Sequence, residues 1–283
     1  MTANDETSGA VDRFDCVVGG KGAFASETRE AIREIPMRIV VNGSPVATLM
    51  QTPGNEVELA LGFLLTEGYA RTMGDVGAVS FCREGTIGEA GEVRVQLAGD
   101  APGAARRGYR DVLSSCGLCG EELIEAFAEA LPAFSRSAGR LSEADIRALR
   151  EAMNASQPLF RKTGGAHAAA IAPLPFEEHA REIVVREDIG RHNALDKTVG
   201  AACGAGLPLD RCLLFLSSRL SVEMVAKAAR VGIGDVAGIG AASATAVLLA
   251  RKLGMFLAGF ARGETMTIYS DAGAVASSGE GET

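Results

Sequence analysis

Hydrophobic and polar residues follow a strand pattern in the early part of the chain. Met37 to Val41 and Pro45 to Met50 are two mostly apolar runs on either side of Asn42-Gly43-Ser44. An Asn-Gly pair supplies the positive φ angles of a tight turn, so the two runs are predicted to form a hairpin. Glu92 to Leu97 alternates polar and apolar residues, which predicts a further strand with one buried face.

A largely apolar segment that ends at Gly68 is predicted to be a buried helix. Asn55 is followed three residues later by Glu58, which is a capping signal at a helix start. The apolar residues of this helix are Val57, Leu59, Ala60, Leu61, Phe63, Leu64 and Leu65. Because they cover most of its surface, we expect other elements to pack around it.

Strands and helices alternate in the second half of the chain, after a helix that Ser142 caps and that runs through Ala152. Strands are predicted at 182–185, 212–216, 255–260 and 266–269, and helices at 193–202, 221–231 and 242–253. The last two strands are predicted to be antiparallel, with Ala261-Arg262-Gly263 at their turn. This alternation indicates the α/β class, with an α+β character from the smaller β-containing N-terminal part.

The domain organisation follows from this pattern. Residues 1–20 are predicted to be a disordered leader, and residues 272–283, which are rich in Gly, Ser and Glu, a disordered tail. An N-terminal domain is predicted at 21–138 and a second domain at 139–271. The boundary falls in the connector Ser135 to Arg140.

Composition places the chain among soluble globular proteins. Its 283 residues are 47% hydrophobic and 23% charged, enough for a sizeable core, and no apolar run reaches membrane-spanning length. A formal net charge of −8 argues against general binding to nucleic acid or membrane lipid. Met1 to Asp12 is acidic and polar, unlike a signal peptide, so we expect a cytoplasmic protein.

The chain has a Cys-x-x-Cys pair in Ser114 to Gly120, with Gly inside and just after it. Two thiols held so close can form a disulfide, bind a metal or carry sulfur. The Gly residues favour a loop that bends toward a partner. A helix is predicted directly after it, at 121–131, and a helix N-terminus favours the thiolate form of a nearby cysteine.

A metal site is not expected at this pair. Structural zinc takes four ligands, and the sequence has no second Cys-x-x-Cys pair. Deaminase-type zinc also needs His-x-Glu, which no histidine of this chain provides. A thioredoxin-like oxidoreductase is disfavoured because it carries its Cys pair near the first buried strand. The remaining cysteines are predicted to fill the core or lie near the surface: Cys16, Cys82, Cys203 and Cys212.

Four polar loops follow or join predicted strands, where α/β sheets bind ligands. They are Thr163 to His167, with two Gly; Arg186 to Asn193, dense in ionisable groups; Ser217 to Ser221, with Arg219; and Phe260 to Thr265, with Arg262. Taken singly, each is more often a cap, a surface or a structural histidine. Their position along one alternating sheet favours a ligand site, and the serine-rich loop suits a phosphate.

Five segments of the sequence carry a resemblance to a known family: Thr52 to Gly68, Ser114 to Gly120, Thr163 to Ala168, Arg186 to Lys197 and Glu223 to Ala229. As a set and in this order they resemble the FdhD family, the formate dehydrogenase accessory sulfurtransferases. The resemblance implies a cytoplasmic carrier that takes sulfur from a cysteine desulfurase as a cysteine persulfide. The sulfur then passes to the Mo-bis(molybdopterin guanine dinucleotide) cofactor, or its tungsten form, before insertion into the catalytic subunit of formate dehydrogenase.

The resemblance also assigns residues. Cys116 is implied as the catalytic persulfide carrier and Cys119 as an auxiliary thiol. The implied cofactor-binding residues are Phe260, Ala261, Arg262, Gly263, Glu264 and Thr265, and GDP-like nucleotides are expected to mimic the cofactor. A three-layer second domain similar to cytidine deaminases, without zinc, and a homodimer are implied as well.

The chain departs from the family pattern in the stretches that are expected to bind the nucleotide part of the cofactor. Glu264 and Thr265 stand where a further basic residue is common, and Gly240 to Ala244 replaces a Ser-Ala-Pro-Thr-like stretch. Ser217-Ser218-Arg219 has Ser where Gly is typical. These changes lie outside the Cys loop and bear on cofactor binding. Two alternatives to sulfur transfer stay open for the Cys pair: a chaperone that only holds the cofactor or the apoenzyme, and a dithiol oxidoreductase.

Overall fold

The structure is a computed structural model that describes residues 9–20, 22–83, 91–98, 124–125, 128–135 and 141–274. The strands are β1 (Val11–Gly20), β2 (Ala23–Ile32), β3 (Ile35–Val41), β4 (Ser44–Gln51), β5 (Val76–Arg83), β6 (Gly91–Leu97), β7 (His167–Pro173), β8 (Val184–Asp188), β9 (Cys212–Leu216), β10 (Asp235–Gly238), β11 (Phe256–Arg262) and β12 (Thr265–Ser270). The helices are α1 (Glu56–Thr66), α2 (Glu143–Ala155), α3 (Pro158–Thr163), α4 (Phe176–His179), α5 (Arg191–Gly204), α6 (Val222–Arg230) and α7 (Ala244–Leu253).

The chain begins with a two-stranded antiparallel hairpin, in which β1 pairs with β2 along its whole length. The disordered leader predicted at 1–20 is therefore wrong for Val11–Gly20; residues 1–8 lie outside the described residues. Polar cross-strand contacts explain why the sequence looked disordered. Arg13 bonds to Glu30, and Thr28 donates to Asp15 at 2.8 Å.

A four-stranded sheet follows, in the order β4-β3-β6-β5. The predicted hairpin between β3 and β4 is confirmed, with Asn42 and Gly43 at φ of 49° and 81° in its turn. Helix α1 packs between this sheet and α5. The sheet and α1 share one apolar core that continues into the C-terminal half.

Helices α1 and α5 approach closely enough to require glycine. A Cβ atom on Gly62 would collide with the carbonyl oxygen of Asp196, and one on Gly200 with that of Glu58. Helix α1 begins directly after Asn55 as predicted, but the predicted side-chain cap is wrong. Asn55 takes a left-handed conformation, φ 62°, and its side chain makes no capping bond.

The second sheet has six strands in the order β12-β11-β10-β9-β7-β8. Strands β9, β10 and β11 are parallel, whereas β7, β8 and β12 run antiparallel to their neighbours. The predicted α/β class and the terminal antiparallel pair are thereby confirmed. Strand β7, within Ala-rich His167–Pro173, was not predicted because alanine carries little strand signal.

Helices cover both faces of this sheet. Along β7, Ala168 and Ala170 pack in the core under α2, and the alternate residues Ala169 and Ile171 pack under α5. This makes three layers, as the resemblance implied.

The chain near the two predicted boundaries is only partly described. The boundary at 138/139 lies outside the described residues and stays a prediction, as does the tail beyond residue 274. Ala274, assigned to that tail, is fully buried, and its carbonyl accepts a hydrogen bond of 3.1 Å from Leu141 N. Within the described part of the chain, no helix has both the length and the apolarity needed to cross a bilayer.

Candidate functional site

One edge of the six-stranded sheet carries all four polar loops singled out in the sequence. Strands β8 to β11 end at this edge, and β7 and β12 begin there. The strand register brings the loops before β7, after β8 and after β9 together, because His167 lies opposite Asp188 and Ala169 opposite Leu216. The segments brought to this edge are 163–167, 186–193, 217–221 and 260–265. This is the edge at which α/β folds bind ligands.

The turn at 260–265 is held against the loop that follows β10. Phe260 N donates to Gly240 O at 3.1 Å, and Arg262 Nε donates to Ile239 O at 3.0 Å. Phe260 has a positive φ of 50° and a side chain that is 44% exposed. The turn therefore presents an aromatic ring and a guanidinium group at the sheet edge in a conformation set by backbone contacts.

Two arginines of α2 contact the same turn. Arg147 pairs with Glu264, and Arg150 donates to the carbonyl oxygen of Gly263 at 2.6 Å. The carboxylate of Glu264 is thereby paired with a cation of α2. Sequence reasoning missed these contacts because the partners are 117 and 113 residues apart.

A cleft of about 500 Å³ opens beside β7 on the α2 side of the sheet. Its described lining residues are Asn154, Gln157, Phe160, Arg161, Gly164, Gly165, Ala166, His167, Ser217 and Ile239. Ser217 is held against β7 by two hydrogen bonds to Ala168. Its hydroxyl accepts from Ala168 N at 2.8 Å, and its own N–H donates to Ala168 O at 3.0 Å. Two of the four predicted loops therefore line one concave site.

His167 is the titratable base among these lining residues. Partial burial lowers its pKa, and the positive charge of Arg191 lowers it further, against the opposing effect of Asp188. The imidazole is therefore neutral at neutral pH, with one nitrogen able to donate and the other able to accept a hydrogen bond.

The sequence model of the FdhD/NarQ family matches residues 32–276. The chain belongs to the FdhD/NarQ family. It is similar to the sulfur carrier protein FdhD of Streptomyces coelicolor, with 37% identity over 265 residues that cover 90% of this chain and 92% of that protein. The sulfur carrier protein FdhD of Anaeromyxobacter dehalogenans strain 2CP-1 is 39% identical over 262 residues, covering 86% of this chain and 88% of that one.

A solved structure has the same fold. It is a protein described as a formate dehydrogenase accessory protein, from Desulfotalea psychrophila, with a TM-score of 0.73 and 20% identity. The similarity covers 94% of this chain and 100% of the other. At this identity the comparison supports the fold alone.

Two of the FdhD segments, 52–68 and 186–197, meet in a buried polar network. The Asp188 carboxylate accepts from Thr52 N at 3.0 Å and lies 2.7 Å from Lys197 Nζ. Lys197 also donates to Thr52 O at 2.7 Å. Asp188, which belongs to the ionisable run predicted as a candidate ligand loop, thus joins the loop before α1 to Lys197 of α5.

A second buried cluster joins α1, α5 and α6. Lys227 Nζ lies 2.8 Å from Asp196 Oδ2 and 2.9 Å from Glu67 Oε1, and it donates to Thr66 Oγ1 at 3.0 Å. Burial acts to lower the pKa of Lys227, but the two carboxylates outweigh it and the net shift is upward. The family segment 223–229 therefore contributes to the packing of these helices through Lys227.

A histidine–carboxylate pair lies near the start of α5. His192 Nε2 and Glu223 Oε2 are 2.8 Å apart, and this hydrogen bond lowers the pKa of Glu223. Both side chains are about one third exposed, at 35% and 37%. The pair therefore contributes a partly exposed anion and imidazole beside the sheet edge.

The predicted catalytic residues Cys116 and Cys119 lie outside the described residues, so their roles stay predictions. In the part of the chain that is described, no group of three or more His, Cys, Asp or Glu side chains is arranged to hold a metal ion. The other four cysteines are in the thiol form: Cys16, Cys82, Cys203 and Cys212. Cys212 is buried as predicted, burial raises the pKa of Cys203 to about 11, and Cys82 is exposed.

Proposed function

We propose that this chain is a sulfurtransferase and sulfur carrier that serves formate dehydrogenase maturation. Cys116 accepts sulfur from a cysteine desulfurase and delivers it to the Mo-bis(molybdopterin guanine dinucleotide) cofactor. The observation that carries the proposal is the match to sulfur carrier proteins over about nine tenths of the chain. The Cys-x-x-Cys loop supplies the thiol that such a carrier needs.

The transfer step balances without an external oxidant. The Cys116 thiolate attacks the terminal sulfur of the desulfurase persulfide, forming a new S–S bond at Cys116. The old S–S bond breaks, and the desulfurase cysteine leaves as a thiolate that takes up a proton. Release of the carried sulfur as sulfide needs two electrons, which Cys119 supplies by forming a disulfide with Cys116.

The cofactor is the cargo of this carrier, and residues 260–265 are proposed to bind it. Arg262, with Arg147 and Arg150 from α2, places three guanidinium groups around this turn. Guanidinium groups suit the phosphates of a dinucleotide because they donate paired hydrogen bonds to phosphate oxygens. The neighbouring helix thus adds two guanidinium groups to the turn, of which Arg147 is paired with Glu264.

Sulfur loading is tested by intact-mass spectrometry after incubation with a cysteine desulfurase and cysteine. We expect a gain of one sulfur on Cys116 that reductant removes, and its loss in Cys116→Ala. Cys82→Ala is the matched control, because Cys82 is an exposed free thiol outside the Cys loop. Equal loading of the Cys116→Ala protein would refute the carrier role.

A cofactor chaperone without sulfur transfer is the second candidate. It is favoured by the ligand edge, whose described residues come from α2, α3 and the strand-end loops. Replacement of both Cys116 and Cys119 by alanine separates the two functions. Formate dehydrogenase activity that persists with the double variant supports the chaperone, and activity that disappears while GDP binding stays intact supports the carrier.

A further inference from the structure

We infer that two copies of this chain associate through the β1–β2 hairpin, with β2 of one copy pairing antiparallel to β2 of the other. The resemblance stated above implies a homodimer without indicating the surface that forms it. The FdhD/NarQ sequence model begins at residue 32, so nearly all of the hairpin lies outside the matched range. This contact does not depend on the proposed sulfur transfer.

The hairpin carries the three most exposed large apolar side chains of the described residues. Phe14, Val17 and Phe24 are 57%, 67% and 82% exposed, whereas the other large apolar side chains of the described chain do not exceed 49%. The base of the hairpin packs against α3 and the loop after it through Val11 and Ile32. A two-stranded hairpin with little packing along its length is marginally stable in water. A contact that covers its outer part therefore stabilises it.

The hairpin also has regular, unpaired edges. Among the described residues, β1 and β2 form a sheet of two strands, and their ten paired positions follow one another without a bulge. The edge strands β4, β5 and β12 of the other two sheets have register irregularities, which discourage pairing with another chain. The remaining edge strand, β8, has only five residues. Strand β2 has ten and contains no proline, so it is the better template for an added strand.

The sequence of β2 is complementary to itself about a two-fold axis at Thr28. Glu27 then lies opposite Arg29 of the second copy, and the same pair recurs on the other side of the axis. Phe24 lies opposite Ile32 of the second copy, so its exposed ring covers the apolar base of the other hairpin. Opposite charges and apolar pairs both stabilise neighbouring strands when they lie directly across from each other.

Charge selects this register over its neighbours. Alternate residues of an edge strand point their N–H and C=O groups outward, so the pairing can slip only in steps of two residues. One slip places Glu27 opposite Glu27 of the second copy, and the other places Arg29 opposite Arg29 of the second copy. Both arrangements are destabilising. Strand β1 is less suited to this role, because Arg13 and Asp15 already bond to side chains of β2.

The two charged side chains are available for a contact between copies. Glu27 and Arg29 lie 2.7 Å apart along β2 and are 44% and 62% exposed. Pairing of two copies extends this single ion pair into a row of four alternating charges across the two-fold axis. Like-charged variants at these positions therefore report directly on the contact.

The inference is tested by analytical ultracentrifugation of the full chain at low salt. We expect a dimeric parent, and Glu27→Arg and Arg29→Glu should each raise the dimer Kd about tenfold, because each places two like-charged pairs across the axis. An equimolar mixture of the two variants should regain the parent's dimer Kd, since both cross-strand pairs then have opposite charges. The ion pair within each β2 stays broken in the mixture, so the recovery reports contact between chains.

Arg38→Glu is the matched control. Arg38 is 61% exposed and also pairs with a glutamate, Glu92, but it lies on β3 in another sheet, so its dimer Kd should stay that of the parent. Amide hydrogen exchange locates the contact, with protection of residues 24–32 expected in the parent and lost in Glu27→Arg and Arg29→Glu.

Three results would overturn the inference. The first is dimerisation of Glu27→Arg and Arg29→Glu with the Kd of the parent, which places the interface elsewhere. The second is a mixture of the two variants that dimerises no better than either alone. The third is a monomeric parent; if residues 24–32 then become protected when the catalytic subunit of formate dehydrogenase is added, the hairpin is a surface for that enzyme instead.

Discussion

Lys197 Nζ lies 2.7 Å from Asp188 Oδ2, and the two side chains are 1% and 0% exposed. The pair joins the end of β8 to α5. It also holds the backbone of Thr52, whose N–H donates to Asp188 and whose carbonyl accepts from Lys197. Such a pair is sensitive to loss of one partner, because the other charge is then left buried and uncompensated.

Lys197→Met is therefore expected to lower the free energy of unfolding by about 3–5 kcal/mol. Asp188→Asn is expected to cost a similar amount, and the double variant less than the sum of the two. Urea unfolding followed by circular dichroism measures all three. Lys252→Met is the control, because Lys252 forms a half-exposed pair with Glu125 and its loss should cost about 1 kcal/mol or less. Additive costs would show that Lys197 and Asp188 are not coupled.

Gly62→Ala and Gly200→Ala are expected to destabilise the protein by at least about 1–3 kcal/mol each, because the added methyl group meets a backbone carbonyl that cannot move aside alone. Gly204→Ala, at the end of α5 with no neighbour within 4 Å, is the matched control. It should be neutral or slightly stabilising, since alanine is the better helix former. Thermal unfolding of the three variants measures the difference, and equal melting temperatures would contradict the close helix contact.

The alternation of strands and helices in the second half was predictable because its apolar runs have the lengths and breaks of buried elements. Strand β9 was predicted at its observed bounds, Cys212–Leu216, and Ser142 caps α2 as expected. The hairpin β1–β2 was missed because its stability comes from pairing between two polar strands. The contacts of α2 with the turn were missed because long-range pairing leaves no local pattern.

The candidate site was predictable only as a set of loops. Gly and ionisable residues marked the segments at 163–167 and 260–265, but nothing in the sequence indicated that Asn154 and Gln157 face the same cleft. Conversely, the dense charges at 186–193 suggested a ligand loop. The carboxylate of Asp188 is instead bonded within the protein, to Thr52 N, Lys197 Nζ and Gly190 N. Whether a charged side chain points inward or outward depends on packing that short sequence windows do not encode.

His167 gives a pH dependence whose sign follows from its lowered pKa. The unfolded chain binds a proton at this histidine below about pH 6.5, and the folded chain resists it until lower pH. The folded state therefore loses stability as pH falls from about 6.5 toward the folded pKa, and nothing is lost above that window.

His167→Gln should flatten this part of the stability profile between about pH 7.5 and 5.5. Chemical unfolding of both proteins across that range measures the difference. His179→Gln serves as the control, since His179 is a surface histidine paired with Glu182 outside the cleft. A profile unchanged by His167→Gln would show that the imidazole is not held neutral.

The pairing of Arg147 with Glu264 makes the turn at 260–265 less positive than a turn with a basic residue would be. Glu264→Lys removes the carboxylate, releases Arg147 and adds a cation, so GDP binding is expected to tighten about three- to tenfold at low salt. The gain should shrink above about 0.3 M salt, because exposed charges are screened. Glu178→Lys makes the same charge change at an exposed position on α4 and is the matched control. Equal tightening in both variants would assign the effect to net charge, whereas tightening confined to Glu264→Lys places the phosphates of the ligand at this turn.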